Sequence, residues 1–248
     1  MIKSFILRFL NSRGFDLVRF SAAMNPSDLE IAEKVRGKTA TSINRIVGLI
    51  DSVRYVCENK IPGAFVECGV WRGGSAMVAA LKLIEMGDQS RDLFLYDTFE
   101  GMSEPTDADV MFDGTSAKEL LNPNEKKEDL ANYWCFATDH TVRANVLSTG
   151  YPGEKVHLIK GKVEETIPAQ MPSQISILRL DTDWFESTAH ELEHLYPLLA
   201  PNGVLIIDDY GHWAGARKAV DEYFSKLHPK PFLSRMDYTG RLAIKPSA

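Results

Sequence analysis

Residues 175–209 read ISILRLDTDWFESTAHELEHLYPLLAPNGVLIIDD, and the fold follows from this stretch. Ile175–Leu180 and Val204–Ile207 are short runs too apolar for a strand with one wet face. Between them, Phe185–Leu199 carries apolar residues at helical spacing. Strand, helix and strand of this kind make a parallel pair with a crossover, covered on both faces. The same alternation extends upstream. Ala64–Cys68, Leu93–Tyr96 and Val156–Ile159 are further strands of the buried type, while Gly74–Met86, Val163–Ile167 and Ala214–Leu227 read as helices. Thr41 or Ser42 can cap a helix running to about Glu58, which Pro62-Gly63 stops. Phe232–Met236 and Leu242–Ile244, joined across Asp237-Tyr238-Thr239-Gly240, predict a closing antiparallel pair. The expected architecture is α/β, a doubly wound, mostly parallel, seven-stranded sheet ending in that pair.

A chain of 248 residues, 44% hydrophobic and 25% charged, has the composition of one globular domain, which excludes a disordered or repeat protein. Its formal charge of -6 argues against a nucleic-acid partner, because neutralising phosphates takes a clustered basic surface. No apolar run approaches the roughly 20 residues of a membrane-spanning helix, so no membrane span is expected. Cys57, Cys68 and Cys135 are too few and too scattered for a disulfide framework or a Cys-rich zinc site, and a cytoplasmic location follows. Arg8 interrupts what would be the apolar core of a signal peptide. Ile2, Phe5, Ile6, Phe9 and Leu10 instead give a short amphipathic helix. With the 40–58 helix it is expected to form a subunit contact, making at least a homodimer. The division expected is an N-terminal helical segment, 1–60, and a main domain, 61–248.

One connection is anomalous. More than fifty residues separate the strands ending at Asp97 and beginning near Val156, which marks a lid insertion of about 98–154. It is acidic at Glu104, Asp107, Asp109 and Asp113, with helical signals at Ala117–Leu121, Lys126–Tyr133 and Asp139–Leu147. Its expected place is over the carboxyl edge of the sheet, where open α/β folds bind ligands.

The first strand runs directly into Glu67-Cys68-Gly69-Val70-Trp71-Arg72-Gly73-Gly74-Ser75. Gly69 permits a tight turn, Gly73 and Gly74 permit close approach to the backbone, and the next helix offers free N–H groups. Val70 separates Gly69 from Trp71 where a dinucleotide fingerprint has its second glycine, so nicotinamide binding is disfavoured. The second strand ends at Asp97, where a carboxylate can accept hydrogen bonds from both hydroxyls of a ribose. Together these features suit S-adenosylmethionine, which has an adenosine, a carboxylate and an ammonium but no pyrophosphate.

Asp181 ends the fourth strand with Asp183 two residues on, and Asp208-Asp209 end the fifth. These strands are neighbours in the usual doubly wound order, so the acids crowd at one edge, and a hard divalent ion such as Mg²⁺ relieves their repulsion. Asp181, Asp208 and Asp209 suit the ion. Asp183 suits a general base that takes a proton whose affinity Mg²⁺ coordination has lowered. His190, His194 and His212 are rival bases; the first two, at i, i+4, read as a partly exposed helix face, and His212 is kept as the second choice. Trp71, Trp184 and Trp213 follow strand ends and read equally as pocket walls or as packing.

With these residues in view, the chain resembles the macrocin O-methyltransferases, which act on sugar hydroxyls in macrolide and aminocoumarin antibiotic pathways. The resemblance covers about residues 40–245 and rests on FVECGVWRGGS (65–75), LYDTFEGMSEPT (95–106), STGYP (148–152), LRLDTDWFEST (178–188) and GVLIIDDYGHWAGARKAV (203–220). It implies a class I, Rossmann-like methyltransferase fold and dependence on S-adenosylmethionine and Mg²⁺. It also implies metal binding by Asp181, Asp208 and Asp209, with Asp183 as the base. Cofactor contacts fall to Glu67, Gly69, Val70, Trp71, Arg72, Gly73, Gly74 and Ser75, and to Asp97 with Thr98 beside it. Gly161, Lys162 and Val163 are expected at the adenine, although Lys162 stands where many relatives have an acid. The acceptor implied is a glycoside under the lid. The alternatives are a catechol-type acceptor, which also offers two oxygens to a metal, and a non-catalytic binding module on the same fold.

Overall fold

Successive side chains of a strand reach opposite faces, so a strand apolar at every position must be covered on both. The computed structural model, which describes residues 24–121 and 133–247, shows this at the centre of the sheet. β1 (Ala64–Cys68) is buried throughout. It lies between β2 (Leu93–Asp97) and, beyond β3 (Val156–Lys160) in the chain, β4 (Ile175–Leu180), which is also buried throughout. β5 (Leu199–Ile207), β6 (Ser234–Arg235) and β7 (Arg241–Ile244) complete the order β3-β2-β1-β4-β5-β7-β6. Pairing is parallel through β5 and antiparallel at β7 and β6. The order turns back between β1 and β4, and the carboxyl ends of these strands flank the switch point at which open sheets bind ligands.

Two cores enclose the sheet. On one face α1 (Pro26–Lys34), α2 (Ile43–Glu58) and α3 (Gly74–Glu85) bury Ile31, Ile50 and Val78 with Phe65 of β1. α4 (Ala117–Leu120) lies in the insertion, and α5 (Asp139–Leu147) adds Val142 to that same core. On the other face α6 (Val163–Thr166), α7 (Phe185–Leu195) and α8 (Ala214–Phe224) bury Val163, Leu192 and Val220 with Val66 of β1. The alternation Phe65, Val66 therefore divides the two cores.

The structure departs from the expected elements where local chemistry intervenes. The helix after β4 ends at Leu195, because Pro197 opens a 3₁₀ turn over Tyr196–Leu198. β5 starts at Leu199, ahead of the expected Val204, through a kink at Asn202 (φ 63°). β6 is two residues long, and Phe232 stays 82% exposed outside it. α1 was not expected. Its start signal is Asn25-Pro26, but its apolar stripe is thin, and much of its hold comes from Asp28, which pairs with Lys82 at 2.8 Å and Arg54 at 2.8 Å. The apolar face of α2, expected to help form a subunit contact, is covered inside the chain at Ile46, Leu49, Ile50, Val53 and Val56. Described residues of the 1–60 segment thus share the core of the main domain. The helix expected at Ile2–Leu10 and the 126–132 part of the one expected at Lys126–Tyr133 lie outside the described residues.

Candidate functional site

Gly69 follows β1 with φ 81°, where a Cβ would stand 1.9 Å from the Asp181 carbonyl oxygen. The turn is required by strand approach, since the Asp181 N–H donates to the Cys68 carbonyl at 2.9 Å. Asp97, at the end of β2, organises the loop that follows. One of its oxygens accepts the N–H groups of Val70 (2.7 Å) and Trp71 (3.0 Å), and the other accepts that of Phe99 (2.7 Å). Burial raises the Asp97 pKa, and these amide donors offset part of the rise. Its carboxylate is therefore engaged by the loop backbone, a role that the ribose expectation did not include.

A cleft of about 280 Å³ opens at these strand ends. Of the residues expected at a cofactor, Gly69, Val70, Trp71, Ser75, Asp97, Thr98, Gly161, Lys162 and Val163 line it. Four do not reach its wall. Gly73 (φ 82°) packs toward Val142 and Val146 of α5, and a Cβ on Gly74 would meet the Lys38 carbonyl at 2.5 Å. These two glycines thus admit the protein's own chain; the sequence reading had given that space to a ligand. Arg72 points outward and donates to the Gly37 carbonyl. Glu67 is buried in the sheet, 1% exposed, with one carboxylate oxygen unpartnered among the described residues; burial pushes its pKa up to about 8. The buried indole N–H of Trp71 is also unpartnered among the described residues.

All four expected acids, Asp181, Asp183, Asp208 and Asp209, line the same cleft. Two arginines that sequence reasoning missed stand among them. Arg179 donates to Glu67 (2.8 Å), Asp181 (2.6 Å) and Asp208 (2.6 Å). Arg45 of α2 pairs with Asp208 and with Asp237. A signal existed, since Arg179 interrupts the apolar ISILRL run and a buried arginine needs partners. The expectation that a divalent ion relieves the crowding is amended accordingly: the protein's own guanidiniums already pair with Asp181 and Asp208. What they leave is Asp209, whose pKa is raised by burial and then by the charges of Asp183 and Asp181. Asp183, with φ 69°, donates its own N–H to Asp209 at 3.3 Å, and burial together with the Asp181 charge raises its pKa as well. Oxygens of Asp181, Asp208 and Asp209 lie within 4.8 Å of one another. Oxygens that share a cation at about 2.1 Å stand ~3–4 Å apart, so these carboxylates are hard donors of the kind a divalent ion takes and must draw together to share one.

The insertion lines the cleft as well, through Met102, Ser103 and Leu120. Buried Asp109 accepts the Phe185 N–H at 2.9 Å at the start of α7, and Phe112 donates its N–H to the His212 carbonyl at 2.9 Å. Trp184 and Trp213 meet edge to face at 5.0 Å, and Trp184 donates to the Ser103 carbonyl of the insertion. All three expected tryptophans line the cleft, so they are wall as well as packing. At the mouth His212 bonds the Tyr238 hydroxyl at 3.2 Å, and burial lowers its pKa. His190 bonds the Ile167 carbonyl and does not line the cleft; nor does His194.

A macrocin-O-methyltransferase (TylF) family model matches residues 28–242. The chain is 34% identical over 202 residues to the 8-demethyl-8-(2,3-dimethoxy-alpha-L-rhamnosyl)-tetracenomycin-C 4'-O-methyltransferase of Streptomyces olivaceus, covering 82% of this chain and 73% of the relative. It is 31% identical over 185 residues to the mycinamicin III 3''-O-methyltransferase of Micromonospora griseorubida, covering 75% and 69%. Among solved structures, the O-methyltransferase NovP superposes with a TM-score of 0.69 at 25% identity, covering 85% of this chain and 83% of that one. The sheet order and antiparallel end are those of the class I methyltransferases. By the span of the family match and the likeness to these enzymes, the chain belongs to the macrocin O-methyltransferase (TylF) family.

Proposed function

We propose that this protein transfers a methyl group from S-adenosylmethionine to a sugar hydroxyl of a glycosylated natural product, assisted by Mg²⁺. The observation that carries the reading is that one cleft joins the glycine loop organised by Asp97 to the acids around Asp209. Relatives named for the 4'-O position of a rhamnosyl tetracenomycin and the 3''-O position of mycinamicin III support a glycoside acceptor.

Asp181, Asp208 and Asp209 would hold the ion, and Mg²⁺ when bound lowers the proton affinity of a coordinated hydroxyl. The residues of the chain do the rest. Gly69, Val70, Trp71, Ser75 and Asp97 seat the donor in the cleft. Arg179 and Arg45 fix the position of Asp208, and Trp184, Trp213 and the insertion wall off water around the acceptor. Asp183 takes the hydroxyl proton, and the freed oxygen attacks the methyl carbon in line as the sulfonium sulfur keeps the C–S bonding pair and leaves as the neutral thioether of S-adenosylhomocysteine.

The proposal extends to at least a homodimer in the cytoplasm. The apolar spacing at Ile2–Leu10 supports the first and three free cysteines the second. Light scattering at micromolar concentration should give more than the 27.8 kDa of one chain. No helix of the described residues is long and apolar enough to cross a membrane.

Calorimetry tests the donor. S-adenosylmethionine and S-adenosylhomocysteine should bind, and NAD should not; binding of NAD with no heat from either sulfur ligand would overturn the assignment.

A further inference from the structure

Glu191 sits in the middle of α7 with 0% exposure, behind the wall of the cleft. One of its carboxyl oxygens accepts from the Thr182 hydroxyl at 3.0 Å, and the other has no partner among the described residues. The thiol of Cys68, the last residue of β1, lies against the same carboxyl. Burying a carboxyl here is costly, and an apolar residue of similar size would pack at no such cost.

Its position accounts for its presence. Thr182 is the single residue between Asp181 and Asp183, and Asp183 takes a left-handed backbone conformation that a non-glycine residue adopts only when its surroundings impose it. The Thr182 carbonyl is already held by the Trp184 N–H at 2.8 Å, which leaves its side chain as the free handle on the loop. Glu191 holds that handle. The Cys68 thiol beside it belongs to the strand after which Gly69 lies against the Asp181 carbonyl.

We propose that Glu191 is a positioning residue that acts through Thr182 to fix Asp181 and Asp183 relative to the ion held at Asp181, Asp208 and Asp209. The proposal rests on the metal reading given above. Burial holds the Glu191 carboxyl well above the usual range, so glutamine is its faithful neutral replacement.

The test uses the full-length protein and Mn²⁺ alone, titrated by electron paramagnetic resonance, with the thermal midpoint measured on the same samples. Glu191→Leu and Thr182→Val should weaken Mn²⁺ binding by about 10-fold or more, the lower range for loss of a group that orients a metal ligand. Glu191→Gln should stay within about 3-fold of wild type. Glu191→Leu should match or exceed the wild-type midpoint, because it removes a buried polar group, so lost affinity there cannot come from unfolding. The double variant should bind no worse than the weaker single one, because both remove the same link. Wild-type affinity in both Glu191→Leu and Thr182→Val would overturn the role of Glu191 and leave the metal reading standing. No Mn²⁺ binding to wild-type protein would overturn the metal reading itself.

Discussion

Glu67 on β1 and Arg179 on β4 are registered neighbours in the parallel sheet, and their side chains form an ion pair of 2.8 Å at 1% and 3% exposure. From that anchor the guanidinium reaches past the strand end to Asp181 and Asp208. A pair set in the core thus orients two acids at the surface of the cleft.

Arg179→Met should therefore cost about 3–5 kcal/mol, the range for stranding buried charges, and lower the urea midpoint. Arg179→Lys should recover only part, because a single ammonium cannot fork to Glu67, Asp181 and Asp208 together. A methionine variant as stable as wild type would show that these acids need no fixed counter-ion.

Asp97→Asn should lower S-adenosylmethionine affinity by about 1–3 kcal/mol, since the loop loses a charge-assisted acceptor. Hydrogen exchange separates the two roles of Asp97. Faster exchange at Val70 and Trp71 without ligand is expected from the amide bonds seen here. Unchanged exchange with weakened binding would place the whole effect in direct contact with the donor.

Asp28 gives a dependence on pH. Burial alone would raise its pKa, but hydrogen bonds from Lys82 and Arg54 more than offset this, and it lies below its ordinary 3.8. The stability it contributes is complete above the unfolded value and is lost as pH falls through the lower folded value. Asp28→Asn should cost about 3 kcal/mol at pH 7, the lower end for a broken buried pair because Glu85 still contacts Lys82. In urea titrations the gap to wild type should close as pH approaches 2. A gap of equal size at both pH values would contradict the pairing.

Asp183→Asn removes the candidate base while nearly preserving its shape. Donor and Mn²⁺ binding should persist while turnover falls about 10²–10⁴-fold, the span of a lost general base. Normal turnover in this variant together with loss in His212→Ala would move the role to the imidazole at the mouth of the cleft.

Most of the sheet was legible because buried strands announce themselves as uninterrupted apolar runs, as LFLY (93–96) and VLII (204–207) do. The strand-end acids were legible for a related reason: an Asp that stops such a run has to stand at the sheet edge. What escaped was tertiary. α1 is held in large part by one buried aspartate and two cations from other helices, and no local pattern carries that. Arg45 reaches Asp208 from 163 residues away in sequence. Gly73 and Gly74 could be recognised as sites of close approach, but whether ligand or chain approaches them is decided by Lys38 and α5.

Methyl transfer to a sugar hydroxyl through the acids around Asp209 is checked by following labelled methyl from S-adenosylmethionine into rhamnosylated and related glycosides. A catechol acceptor is run alongside, with protein stripped by chelator and then resupplied with Mg²⁺. Transfer to a glycoside should vanish on chelation, return with Mg²⁺, and have no counterpart with the catechol. Transfer that survives exhaustive chelation, or turnover confined to the catechol, would contradict the proposed reaction.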